Sequence, residues 1–327
     1  MNADAAFNGF ISTNVVFALE RLDLFARLDE AKSLNITDFC VQNGLDESVF
    51  RALVSSAESF GYLSVRADQV ALTQDGRDVR RMIGFFTWGV GGYHDVFANA
   101  APIARGKRSF GDDVRRDEAM VALGSAQADI ALMRHLLDEQ IAQLDFSVLA
   151  DLGSGISERL CRLVQARPGT RGIGLDISQS ATELAAETVS RYSLHDQVKP
   201  VCADVLDVIS GKQRIEGAEE VDVVMSFMFL HDLLVDPATR SEIIPSLRAA
   251  FPKAHTFLLG DTTVRPNDGS GTLPIFSSGF ELAHALMGVP IYTRQTYEDL
   301  FEKGGMTVRR TVPFGAPHTY LFVLEAR

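Results

Sequence analysis

From Ala5 to Leu28 the apolar residues Phe7, Phe10, Ile11, Val15, Leu19, Leu22 and Phe25 recur near helical spacing, which predicts one long amphipathic helix. A short helix follows at 37–42, and a stronger one at 46–60 has Asp46 as its N-cap and Val49, Leu53, Ala57 and Phe60 on one face. Gly61 stops it. Two short apolar runs, 62–65 and 69–72, flank the turn 66–68 and predict a hairpin, so the first part of the chain reads as a winged helix. Over 82–145 the pattern is helical, with an aromatic knot at Phe85, Phe86, Trp88 and Tyr93 and then a charged segment from Arg105 to Glu118.

Past residue 146 the period changes. Apolar runs at 148–152, 171–176, 198–203, 221–227 and 256–260 predict five strands with helices between them. The last two, 308–314 and 319–325, leave no room for a helix and should pair antiparallel. The expected fold class is α/β, a Rossmann-like sheet of seven strands with its ligands at the carboxyl ends of the strands. The expected divisions are a winged-helix dimerisation domain over 1–81, a helical connector carrying substrate-pocket residues over 82–145, and a cofactor-binding catalytic domain over 146–327.

The first strand of that sheet runs into Asp151-Leu-Gly153-Ser154-Gly155. Glycines at this turn let the backbone approach a ligand closely. The second strand ends in Asp176, where a carboxylate can grip both ribose hydroxyls, and the third in Asp204, beside the adenine edge. Ile177, Val205 and Phe227 are counted with them as cofactor-binding residues. A dinucleotide loop wants a third glycine at position 158, which here is Glu158, the wrong charge for a pyrophosphate. S-adenosylmethionine carries no phosphate and fits better than NAD. Ser157 stands where another glycine is often found.

The 327 residues suffice for two domains with full cores, and a net charge of -12 argues against a nucleic-acid partner. That balance, with no Lys/Arg stripe on the 46–60 helix, makes homodimerisation the expected use of the winged helix. Cys40, Cys161 and Cys202 are odd in number and lie in apolar patterns, so they are expected to be reduced core thiols, as in the cytoplasm. No apolar run is long enough to span a bilayer and no signal peptide is evident, so no membrane partner is expected.

The fourth strand leads into His231 and Asp232 at the ligand edge, where a histidine can serve as general base or metal ligand. Helical spacing puts Glu281 and His284 on one face of a helix after the loop Arg265–Gly271, a candidate lid. Two histidines and a nearby carboxylate, with positions left open, suit a metal that a substrate can chelate.

The glycine loop, the His231-Asp232 pair and the segment Leu273-Pro-Ile-Phe-x-x-Gly-Phe-Glu-x-x-His284-x-x-Met-Gly-Val289 resemble the S-adenosylmethionine-dependent α-keto acid C-methyltransferases, the group of phenylpyruvate and 2-ketoarginine methyltransferases. The resemblance covers nearly the whole chain. It implies a class I methyltransferase fold, with His231 and His284 holding a non-haem iron or a zinc ion that the keto acid chelates. It also implies that Arg116 and Trp88 hold the substrate's carboxylate and body. Methyl transfer to C3 would proceed through a metal-stabilised enolate, with Asp232 or a metal-bound water removing the proton. The alternative is a metal-free small-molecule O-methyltransferase with His231 as base, although the tryptophan those enzymes carry after His-Asp is Leu233 here. A cofactor-sensing DNA-binding regulator is a third reading, disfavoured by charge. Asp95, Asp112 and Asp113 offer partners for a substrate guanidinium, while Phe85, Phe86 and Tyr93 offer walls for an aryl or branched side chain.

Overall fold

The computed structural model describes residues 2–266 and 273–327 and falls into two compact units, 1–92 and 93–327. The candidate lid loop lies largely outside the described residues.

In the first unit the expected long helix is broken. It runs Ala3–Arg21, and a second helix spans Leu24–Ala31. Asp23 between them is left-handed at φ 59°, a conformation that ends a helix for a non-glycine residue. The helix Glu47–Ser59 is capped by Asp46, whose carboxylate accepts the Val49 N–H at 3.0 Å. Its buried residues are Phe50, Val54 and Ala57, whereas Val49 is 60% exposed, so the inward face is rotated from the expected one. Strands β2 (Leu63–Arg66) and β3 (Gln69–Leu72) form the hairpin, and β1 (Ser33–Asn35), unforeseen, pairs with β3 to complete a winged-helix sheet. Residues 82–92, expected in the connector, cluster with this unit. They include the π-helical turn Thr87–Gly92, where Trp88 is buried.

The second unit is built on a seven-stranded sheet. Its strands are β4 (Val148–Leu152), β5 (Arg171–Asp176), β6 (Val198–Cys202), β7 (Val223–Phe227), β8 (Thr256–Thr262), β9 (Met306–Pro313) and β10 (Thr319–Ala326), ordered β6-β5-β4-β7-β8-β10-β9. The first five are parallel, and β10 pairs antiparallel with β8 and β9. β4, β7 and β8 are buried along their whole lengths, as expected for central strands covered on both faces. Their carboxyl ends therefore meet at one edge of a rigid sheet, where β4, the strand-order switch, begins the glycine loop. Cys40 and Cys161 are buried thiols, but Cys202 at the end of edge strand β6 is exposed and corrects the expectation of three core thiols. Among the described residues no helix is long and apolar enough to cross a membrane.

Candidate active site

The glycine loop needs its glycines. Gly153 has φ 68°, and a Cβ there would lie 2.8 Å from Cγ of Phe229; Gly155 has φ 55°. Ser157 adopts φ 55° without being a glycine, immediately before the helix Glu158–Gln165. Asp176 closes the loop: its carboxylate accepts the Gly155 N–H at 2.8 Å and the Ser178 N–H at 2.9 Å. Ser154 N–H donates to the Leu175 carbonyl at 2.9 Å. Asp204 caps the next helix by accepting the Leu206 N–H at 2.8 Å. Each acid keeps lone pairs for a ligand but is first a brace for its own turn. Glu158 receives hydrogen bonds from Tyr192 and Arg191.

Of the remaining expected cofactor residues, Ile177 is 59% exposed, while Val205 and Phe227 are buried in packing. Phe227 stacks on Phe314 at 5.2 Å and carries the Arg159 guanidinium 4.0 Å from its ring centre. Arg159 donates to buried Asp129 at 3.0 Å and stands 3.8 Å from Asp151. Asp151 is wholly buried, and neither carboxylate oxygen has a hydrogen-bond partner. Burial pushes its pKa up to about 7 against the attraction of Arg159, with Asp129 and Asp176 adding repulsion.

The two sequence-distant histidines meet. β7 ends at Phe227, Met228 turns through φ 57°, and the single helical turn Leu230–Leu233 presents His231 and Asp232. His284 lies on the helix Ser277–Met287, whose buried face is Ser277, Phe280, Ala283 and His284. The two Nε2 atoms are 2.9 Å apart. His284 Nδ1–H donates to the Phe280 carbonyl at 2.7 Å, and His231 Nδ1–H to the Asp261 carboxylate at 2.8 Å. Since a carbonyl and a carboxylate only accept, each ring carries its proton on Nδ1, which turns an Nε2 lone pair towards the other ring.

Asp261 is the residue that sequence reasoning missed. It is fully buried on β8, one residue past the predicted end of that strand, and it also accepts the His231 backbone N–H at 2.8 Å, the Thr262 N–H at 2.8 Å and the Tyr297 hydroxyl at 3.2 Å. The signal was available, an acid at the carboxyl end of a fifth strand like those ending the first three. Glu281, by contrast, is engaged by Arg265, whose Nε and Nη2 donate to its carboxylate at 2.9 and 2.8 Å.

The electrostatics of the pair are divided. Burial opposes charge on His231, but Asp261 and Asp232 outweigh it and hold its pKa above the ordinary value. Burial and the charge on His231 push His284 down to about 3.

A metal ion fits the same geometry. Nitrogens bonded at about 2.0–2.1 Å to one ion in neighbouring positions lie roughly 3 Å apart, close to the 2.9 Å observed. The ring centroids are 4.5 Å apart, only 1.6 Å more than the nitrogens, so the two rings are not collinear, and their planes stand at 87°. Both Nδ1 groups already have the outer partners that metal-bound histidines use. Among the described residues no group of three or more His, Cys, Asp or Glu side chains is gathered to hold an ion. The protein offers two nitrogens, and the remaining positions would fall to substrate and water. Asp232 Oδ2 stands 3.7 Å from His231 Nε2.

Arg116 completes this cluster. Its Nη1 donates to the buried Tyr93 hydroxyl at 3.0 Å, and its charge acts on Asp232, His231 and His284 as well as on Asp176. It therefore sits within electrostatic reach of both the histidine pair and Asp176, which braces the glycine loop. Trp88 belongs to the first unit.

No family model matches the chain. Curated relatives do. Methyltransferase ungE' of Aspergillus campestris is 27% identical, over 91% of this chain and 89% of that protein. Indolepyruvate C-methyltransferase of Streptomyces griseus is 28% identical over 98% and 94%, and 2-ketoarginine methyltransferase of Streptomyces arginensis 23% over 92% and 86%. In fold the chain resembles PigF, solved with S-adenosylhomocysteine (TM-score 0.68, 19% identity, 99% and 100% of the two chains). It also resembles the riboflavin-derivative dimethyltransferase RosA of Streptomyces davawensis (TM-score 0.61, 18% identity, 100% of both). By these likenesses the chain is an S-adenosylmethionine-dependent methyltransferase of class I fold, related in sequence to methyltransferases of which two are named for α-keto acids.

Proposed function

We propose that the protein transfers the methyl group of S-adenosylmethionine to C3 of a 2-oxo acid, with His231 and His284 holding an iron or zinc ion. The observation that carries this is the approach of two Nε2 atoms to 2.9 Å while both Nδ1 atoms are already committed to the Asp261 carboxylate and the Phe280 carbonyl. When bound, such an ion supplies Lewis-acid polarisation of the 2-oxo group, which makes the C3 protons more acidic. The chain's own residues do the rest. Asp261 and the Phe280 carbonyl fix the two rings, and Arg116 offers its guanidinium to the substrate carboxylate. Asp232 is close enough to the pair to take the C3 proton. The glycine loop, Asp176 and Asp204 position the cofactor, so that carbon, methyl and sulfur are held in line. The acceptor is a small molecule, and we assign the winged-helix unit to homodimerisation, supported by Phe7 and Phe10, 67% and 60% exposed on its first helix.

The test is elemental analysis of purified wild type, His231→Ala and His284→Ala, with cofactor binding measured in parallel. Near-stoichiometric iron or zinc in the wild type, lost with activity in both variants while S-adenosylhomocysteine still binds, supports the reading. The His231–Asp261 dyad favours one other role for the pair, a proton-sharing base for a hydroxyl acceptor. Full activity without metal, or in the presence of a chelator, would shift the assignment to that reading.

A further inference from the structure

We infer that the 2-oxo acid accepted here carries an aryl or other apolar side chain rather than a cationic one. This inference rests on the function proposed above. C4 of a 2-oxo acid lies two bonds from C2, about 2.5 Å away, so a substrate held at the histidine pair and Arg116 must begin its side chain in the shell around them. That shell is a run of rings. Phe280 lies 3.9 Å from His284 and 5.3 Å from His231 between ring centres, Phe276 lies 5.1 Å from Phe280, Tyr93 6.5 Å from His284, and Phe97 6.2 Å from Tyr93. Phe97 and Phe276, at the two ends of the run, are half-buried.

The carboxylates that could have received a guanidinium are engaged elsewhere. Asp95, Asp112 and Asp113 are exposed. Asp95 accepts the Asn99 amide at 2.9 Å and the Arg115 N–H at 3.3 Å, while Asp112 and Asp113 accept the hydroxyl and N–H of Ser109 at 2.9 and 3.2 Å. They brace the 95–115 segment. Asp232 is in the shell but stands at the reacting end, 3.7 Å from His231 Nε2 and facing Arg116. The guanidinium of an arginine-derived 2-oxo acid is five bonds from C2, roughly 6 Å further out in an extended chain. Glu118 acts on Arg116 and Asp176, which places it towards the cofactor. A cationic side chain would thus leave water for an aromatic wall, whereas a second ring gains edge-to-face and stacked contacts.

The experiment is a competition assay on the full-length, metal-reconstituted protein with S-adenosylmethionine and three acceptors: phenylpyruvate, unbranched 2-oxohexanoate and 5-guanidino-2-oxopentanoate. Products are counted by mass. The expected kcat/KM order is aryl, then aliphatic, then guanidino, with phenylpyruvate ahead of the guanidino acid by about 100-fold or more, because the losing substrate would bury an unpaired charge. A guanidino acid within tenfold of phenylpyruvate overturns the inference while leaving the C-methylation reading in place. If none of the three is methylated although the protein holds its metal and binds S-adenosylhomocysteine, the function proposed above fails and the inference with it.

Discussion

Asp151→Asn should stabilise the protein, and by an amount that grows with pH. The wild-type carboxyl is wholly buried with neither oxygen hydrogen-bonded, and its pKa rises from 3.8 to about 7. A group whose folded pKa is raised contributes fully below its unfolded pKa, and that contribution is lost as pH rises through the folded value. Between pH 4 and pH 7 the wild type therefore loses about 1.4 kcal/mol per unit relative to a neutral isostere. The limit above pH 7 is about 4 kcal/mol. Urea unfolding of both proteins at intervals from pH 5 to pH 8.5, without ligand, measures the difference directly. The gap should widen by about 2–3 kcal/mol between pH 5 and pH 8 and level off above it. A gap that stays flat, or shrinks as pH rises, refutes the idea that Asp151 is held as a buried acid without hydrogen bonds beside Arg159.

Two further outcomes follow from named contacts. Asp261→Asn removes the charge that orients His231 and should weaken metal retention by about 10–100-fold in a chelator competition, with cofactor affinity unchanged. Gly153→Ala puts a Cβ 2.8 Å from Phe229 Cγ at φ 68°. The left-handed conformation alone costs about 1–2 kcal/mol, and S-adenosylhomocysteine binding, read by calorimetry, should fall with it.

Much of this architecture was legible because its signals are local. The parallel strands announce themselves as short apolar runs ending in Asp151, Asp176 and Asp204, and the antiparallel end of the sheet follows from a gap too short for a helix. His231 and His284 are 53 residues apart, and only the resemblance joined them before the fold brought them to 2.9 Å. The misses came from non-local packing. The break at Asp23 depends on one left-handed residue in a continuous apolar pattern, and β1 is too short to show alternation. The inward face of the 47–59 helix is decided by what packs beneath it, so Phe50 and Val54 displaced Val49. Asp261 escaped because its importance lies in tertiary partners, the ring of His231 and the hydroxyl of Tyr297.

The most direct measurement is NMR of the product formed from phenylpyruvate and S-adenosylmethionine labelled with carbon-13 in the transferred methyl. A labelled methyl bonded to C3, split by the single C3 proton, is the predicted result. A labelled methyl on oxygen, or no transfer by protein shown to hold its metal and to bind cofactor, would contradict it.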